Sequence, residues 1–245
     1  VNAHISTRYL VVFAALTLVL VEAHEQVHAV ATRLLCGGWA SRVFDNVLPY
    51  RGCSAARMAL VDIAAPLFSY AVLWLGAIAM WRPPPRTQAL GFTLAFASLP
   101  FGRLVPQVVT VFVGNATADE YSFVRRMAGD AMNRTGAGGL AIVIALAFTL
   151  PPLVAIWRRL PADRRSRVFS WFYLLPLVFV IVWMAGLNGA LAHGVLTQDV
   201  LPGWPALIAA HAALVTAVAW FGRGWIAALV EGPPFSRATA SEESR

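Results

Sequence analysis

Tyr9–Leu35, YLVVFAALTLVLVEAHEQVHAVATRLL, is a run of 27 residues with almost no charge in its first half and His24-Glu25-Gln26-Val27-His28 in its second. About 20 apolar residues at 1.5 Å each cross a hydrocarbon core of about 30 Å as a helix. This run therefore reads as a membrane helix with ionisable groups near its middle. Arg8 precedes it, and Val21-Glu22-Ala23 imitates the small-residue cleavage site of a signal peptide. The apolar pattern continues past Ala23 to Leu35, so a retained helix is expected.

Five further apolar segments follow, approximately 58–81, 88–113, 139–157, 168–196 and 205–230, and the six hold 19 to 29 residues each. The composition agrees: 59% of the 245 residues are hydrophobic and 13% are charged, against about 25% charged in soluble domains. The expected fold is all-α, a polytopic membrane protein of about six transmembrane helices forming one unit over residues 1–230. A polar tail, 231–245, is expected to be disordered. A multi-pass protein of a prokaryotic cell membrane, with the lipid bilayer as its surroundings, is the expected location.

The net charge of +7 comes from 19 Arg and no Lys. These arginines flank apolar runs, so they read as topology signals and no nucleic-acid partner is expected. Counting by alternate sides places 11 Arg with the N-terminus and 6 on the other side. This excess puts both termini in the cytoplasm. Cys36 and Cys53 form neither a disulfide framework nor a Cys-based zinc site and leave the redox compartment open.

His24 and His28 lie four apart, on one helix face, about 3 and 9 Å past the midpoint of the first run. Both imidazoles can reach one zinc ion, and Glu25 then sits beside it, placed to take a proton from an activated water. Ionisable groups at this depth cost several kcal/mol unless paired, hydrated or metal-bound, which makes them functional by default. The competing expectation is a helix-packing cluster in which Glu22, His24, Glu25 and His28 bond to each other and to neighbouring helices.

A hydrolytic zinc site needs a third protein ligand and an open position. Asp119, in Gly114-Asn115-Ala116-Thr117-Ala118-Asp119-Glu120-Tyr121, lies where the third segment ends, on the same membrane side as the second half of the first helix. It is the expected ligand, with Glu120 and Asp130 as replacements. Its ordinary role would be the acidic first turn of a short interfacial helix. Asp62, Asn188, His193, Asp199 and His211 fall on that side too; each reads foremost as an interfacial or packing residue, with His193 and Asn188 worth testing. Arg103, between Pro100 and Pro106, marks a break in the third segment and reads as a snorkelling or structurally paired cation before a neutraliser of the site. Gly136-Ala137-Gly138-Gly139 reads as a hinge or close-packing element.

His24-Glu25-Gln26-Val27-His28-Ala29, followed by Cys36-Gly37-Gly38-Trp39, resembles the HExxHA…GG helix of the site-2-protease class of intramembrane zinc metallopeptidases. Asp62-Ile63-Ala64-Ala65-Pro66-Leu67-Phe68-Ser69 is similar to that class's small-small-Pro-Leu-x-Asn/Ser segment. The resemblance covers about the first 80 residues. It implies zinc held by His24, His28 and a later Asp, Glu25 as general base or acid, and hydrolysis of a peptide bond in a membrane-embedded or membrane-associated protein substrate. The chain departs from the class in having no Leu-Asp-Gly and no inserted PDZ-like domain. The class also tends to place its site toward the cytoplasm, whereas the Arg count places this one outside. The alternatives are a non-enzymatic metal-binding membrane protein, such as a transporter or sensor, and an inactive peptidase-like scaffold.

Overall fold

The structure is a computed structural model that describes residues 5–113 and 118–227. It is an all-α polytopic membrane protein with two minimal hairpins. Five helical stretches are long and apolar enough to cross a membrane: α1 (Thr7–Cys36), α2 (Ala55–Ala79), the broken pair α3 (Pro85–Ala97) and α4 (Pro100–Val113), α6 (Arg134–Arg159) and α7 (Arg165–Ala192). Between α4 and α6 lies the short α5 (Asp119–Ala128), followed by a 3₁₀ turn at Gly129–Ala131. The sixth apolar segment forms α8 (Ala206–Gly222), an apolar helix of 17 residues that is shorter than those five stretches, and then α9 (Gly224–Ala227). The tail expected to be disordered lies outside the described residues.

Local chemistry sets the ends of α1. The Ser6 side chain accepts a hydrogen bond from the Tyr9 N–H at 3.2 Å. At the other end Gly37 takes φ +83°, and its N–H bonds the Arg33 carbonyl at 3.1 Å. Cys36 and Cys53 form a disulfide that ties the end of α1 to the start of α2. The open reading of the two cysteines is thus replaced by a pair. Their Cα atoms, 4.9 Å apart, are within bridging range because Gly37 turns the chain back at once.

The third segment breaks earlier than the midpoint between its two prolines. Ser98 ends α3, Leu99 has φ +53°, and Pro100 opens α4. A residue before proline is disfavoured from the helical region, while proline itself suits the first helical position. Pro106 stays inside α4. The break re-aims the second half of this crossing, so that Arg103 and Gln107, one turn apart, address the start of α5.

Packing is divided between the two ends of the bundle. At the N-terminal end of α1, Tyr9, Phe13, Phe92, Phe96 and Phe172 form a buried aromatic cluster, and the Tyr9 hydroxyl meets Thr93 Oγ1 at 3.1 Å. Nearer the His24 level, Leu18, Phe44, Val180, Met184 and Ile208 pack α1, α7 and α8 together. Ala118, Tyr121, Val124, Ala137 and Ala141 seat α5 on α6. The Gly136–Gly139 run proves to be the helical start of α6, where Gly138 lies against Val111.

Two antiparallel hairpins complete this end: β1 (Arg42–Val43) with β2 (Asn46–Val47), and β3 (Asp199–Leu201) with β4 (Trp204–Pro205). Gly203 turns the second at φ +71°, accepts the Arg42 N–H at 3.2 Å and lies against the Ala40 carbonyl, where a side chain would collide.

Candidate metal centre

One turn of α1 separates His24 from His28, and both side chains are buried on the face turned toward α2 and α5. Their ring centroids are 5.0 Å apart at 88°. His28 Nδ1 lies 2.8 Å from the Val61 carbonyl; a carbonyl only accepts, so Nδ1 carries the proton and Nε2 keeps its lone pair. His24 Nδ1 lies 2.9 Å from Ser69 Oγ. With the proton on Nδ1, Nε2 of His24 is likewise a free donor of electrons. Both contacts come from α2 and are of the kind that orients metal-binding imidazoles.

Asp119, the first residue of α5, meets both free nitrogens: Oδ2 lies 3.2 Å from His24 Nε2 and Oδ1 lies 3.5 Å from His28 Nε2. His24, His28 and Asp119 can each offer one ligand atom, all within 4.8 Å of one another. Burial alone would raise the Asp119 carboxyl, but His28 and His24, where they are protonated at Nε2, hold it well below the usual carboxylate range. Its position at a helix N-terminus favours the anion as well. The interfacial-helix role and the ligand role are therefore compatible in one residue.

The proposed replacements do not share this site. Glu120 turns away: the Tyr70 hydroxyl donates to its Oε1 at 2.5 Å, and the Gln107 amide donates to its Oε2. Burial pushes its carboxyl up, against the lowering effect of Arg103. Consecutive residues on a helix point about 100° apart, so tethering Glu120 into the core between α2 and α4 fixes Asp119 toward the histidines. Asp130 is exposed in the 3₁₀ turn and lies outside the His24, His28 and Asp119 group.

Glu25 is 7% exposed, and its Oε2 has no hydrogen-bond partner. It lines two cavities. One, about 260 Å³, is polar and bounded by His24, Asp45, Arg103, Gln107 and Asp119. The other, about 290 Å³, shares His24, Glu25 and Arg103 but extends between Leu20, Leu99, Leu177, Val180 and Met184. Arg103 Nη1 donates to Asp119 Oδ2 at 3.0 Å and lies 3.4 Å from His24 Nε2. Snorkelling does not describe it: its side chain is 18% exposed and directed into the site.

Comparison with protein-family models, with curated proteins and with solved structures finds no match for this chain.

The remaining polar residues hold the surroundings together. Asp62 accepts from Arg126 Nε at 2.6 Å, joining α2 to α5. Asn188 accepts from the Phe44 N–H at 2.9 Å and donates to Asp45 Oδ1 at 2.7 Å, which fixes the first hairpin over the polar cavity. Asp199 accepts from the Gly203 N–H. His193 is exposed just after α7 and takes no place in the cluster.

Glu22 meets the neighbouring-helix part of the helix-packing expectation through His211 of α8, but its partners include neither His24 nor His28. Arg42 Nη2 donates to its Oε2 at 3.0 Å, and His211 Nδ1 lies 3.0 Å from its Oε1. Trp183 Nε1 donates to His211 Nε2 at 3.1 Å, which leaves Nδ1 as the protonated nitrogen facing Glu22. Arg42 also donates to Gln26 at 3.0 Å. As a loop arginine it reads in the sequence only as a topology charge, and nothing there signals that it points inward. Ser69 and Tyr70 carried a better signal, being polar groups in an otherwise apolar helix.

Proposed function

We propose that this chain is an intramembrane zinc metallopeptidase, similar to the site-2-protease class, that hydrolyses peptide bonds of membrane-embedded or membrane-associated proteins. The observation that carries the reading is the pairing of three ligand-type atoms with a buried, unpartnered Glu25 oxygen beside them. The donor set fits a zinc ion. Ligands at 2.0–2.1 Å in a tetrahedron stand about 3.4 Å apart; Asp119 Oδ2 and Oδ1 lie 3.2 and 3.5 Å from the His24 and His28 nitrogens, and one ligand atom from each of the three residues lies within 4.8 Å of the others. Two imidazoles and one carboxylate suit zinc, and three protein ligands leave a fourth position for chemistry.

When bound there, zinc would act as a Lewis acid and bring the pKa of water toward 7. The chain's own residues do the rest. Ser69 and the Val61 carbonyl keep the imidazoles in register. Glu25 takes a proton as the water oxygen attacks the scissile carbonyl carbon, and returns it to the amine nitrogen as the C–N bond breaks. The two cavities that meet at Glu25 suit this division of labour. The polar one would admit water, and the mixed one, whose α7 wall is apolar, would accommodate a hydrophobic chain segment.

Orientation follows from two independent features. The Arg excess lies with the N-terminus, and the Cys36–Cys53 disulfide lies at the opposite, site-bearing end. Disulfides persist in oxidising compartments outside the cytoplasm, so the site opens toward that side. Alkylation of the full chain extracted without reductant should modify no cysteine, and prior reduction should expose two. Two reactive thiols without reductant would contradict this orientation.

Among the described residues no second group of three His, Cys, Asp or Glu ligands continues across the membrane, which supports a closed site over a transport path. The peptidase reading is tested with apolar peptides in detergent micelles, cleavage being read by mass spectrometry. Cleavage should stop when the metal is stripped by a chelator and return when zinc is restored. Cleavage indifferent to chelation would remove the metal from the mechanism.

A further inference from the structure

Arg103 is placed for more than neutralising Asp119. It stands on the first turn of α4, directly after the break at Leu99, and its side chain lines both cavities that meet at Glu25. Its Nη1 is within 3.4 Å of the His24 nitrogen that faces the metal position and 3.0 Å from Asp119. The guanidinium therefore stands against two of the three residues that would hold the ion and lines the cavities through which a substrate carbonyl would reach them.

A guanidinium carries five N–H donors in a planar fork and stays charged at any relevant pH. One bond to Asp119 does not exhaust it. With the Asp119 carboxylate engaged by a divalent ion, the attraction that holds Arg103 in its present contact weakens, and the two cations repel. The N–H donors that Asp119 does not engage can then meet the carbonyl oxygen of the bond under attack, beside the Glu120 carboxyl tethered by Tyr70 and Gln107.

We infer that Arg103 is a catalytic residue that donates an N–H to the carbonyl oxygen as negative charge develops on it. The inference rests on the peptidase reading above. As the water oxygen adds to the carbonyl carbon and Glu25 accepts the water's proton, the carbonyl π pair moves onto oxygen, where Arg103 stabilises it. When the C–N bond breaks, that pair re-forms the carbonyl and the proton on Glu25 passes to the amine. Donors preorganised in a buried site commonly contribute about 10²–10³-fold to turnover in this way.

The test compares the purified full chain with Arg103→Gln and Arg103→Lys, using the apolar peptide that the parent cleaves best and measuring zinc per chain in each. Arg103→Gln should keep one zinc per chain and elute as the parent does, with kcat lower by about 10²–10³-fold and KM within about 3-fold. Arg103→Lys should recover part of kcat, and added guanidinium should partly rescue an Arg103→Ala variant. Loss of zinc from Arg103→Gln would make it a positioning residue for Asp119 and overturn the inference, as would an unchanged kcat. A parent without zinc or without peptide cleavage would instead bring down the peptidase reading, and this inference with it.

Discussion

Glu25→Gln should retain one zinc per chain and lose turnover by about 10²–10⁴-fold, the contribution typical of a positioned general base. The two expectations separate because Glu25 is outside the His24, His28 and Asp119 group yet lines both cavities. Gln has nearly the same shape, so the packing of α1 persists, but an amide cannot take the proton of an attacking water. The unpartnered Oε2 sharpens the forecast. No hydrogen bond that Oε2 makes in the parent is broken by the change, so a fall in activity reports proton transfer. Metal content by elemental analysis and peptide cleavage on the same sample check it. Unchanged cleavage would exclude the role of Glu25, and loss of zinc would show that the variant damaged the site itself.

The second large effect is on stability. Arg42→Ala removes the guanidinium that donates to Glu22, a pair whose side chains are 1% and 7% exposed. Stripping one partner from a buried ion pair costs about 3–5 kcal/mol because the other charge stays buried. At about 2–4 °C per kcal/mol for a domain of this size, the melting temperature in detergent should fall by roughly 6–20 °C. The double variant Glu22→Gln with Arg42→Ala leaves no orphaned charge and should melt above the single variant. Equal losses in both would mean that Arg42 contributes through packing and its bond to Gln26 alone.

The crossings were legible because hydropathy at the scale of a membrane thickness is a strong signal, and the His24, Glu25 and His28 cluster was legible because helical spacing fixes which residues share a face. Asp119 was reachable through the alternation of crossings, which narrows a third ligand to one side of the membrane. Choosing it over Glu120 needed the tether from Tyr70 and Gln107, a contact between α2, α4 and α5 that no local pattern encodes. Arg103 is paired, as its sequence context suggests, but its entry into the site is hidden for a related reason. Two prolines flank it, and only the backbone shows that the break falls at Leu99, before Pro100, which turns α4 so that this side chain enters the site. Strands of two or three residues are too short for alternation to be visible, so the hairpin that carries Arg42 inward had no signature. The cysteine pair depends on how sharply the chain turns at Gly37, which composition does not record.

The proposed peptidase chemistry requires that His24, His28 and Asp119 hold a zinc ion. It is tested most directly by elemental analysis of the purified full chain beside His24→Ala, with both shown to be folded by their elution and helical content. About one zinc per chain is expected in the parent and none in the variant. A folded parent carrying no stoichiometric metal, or a variant that keeps the parent's metal content, would contradict it.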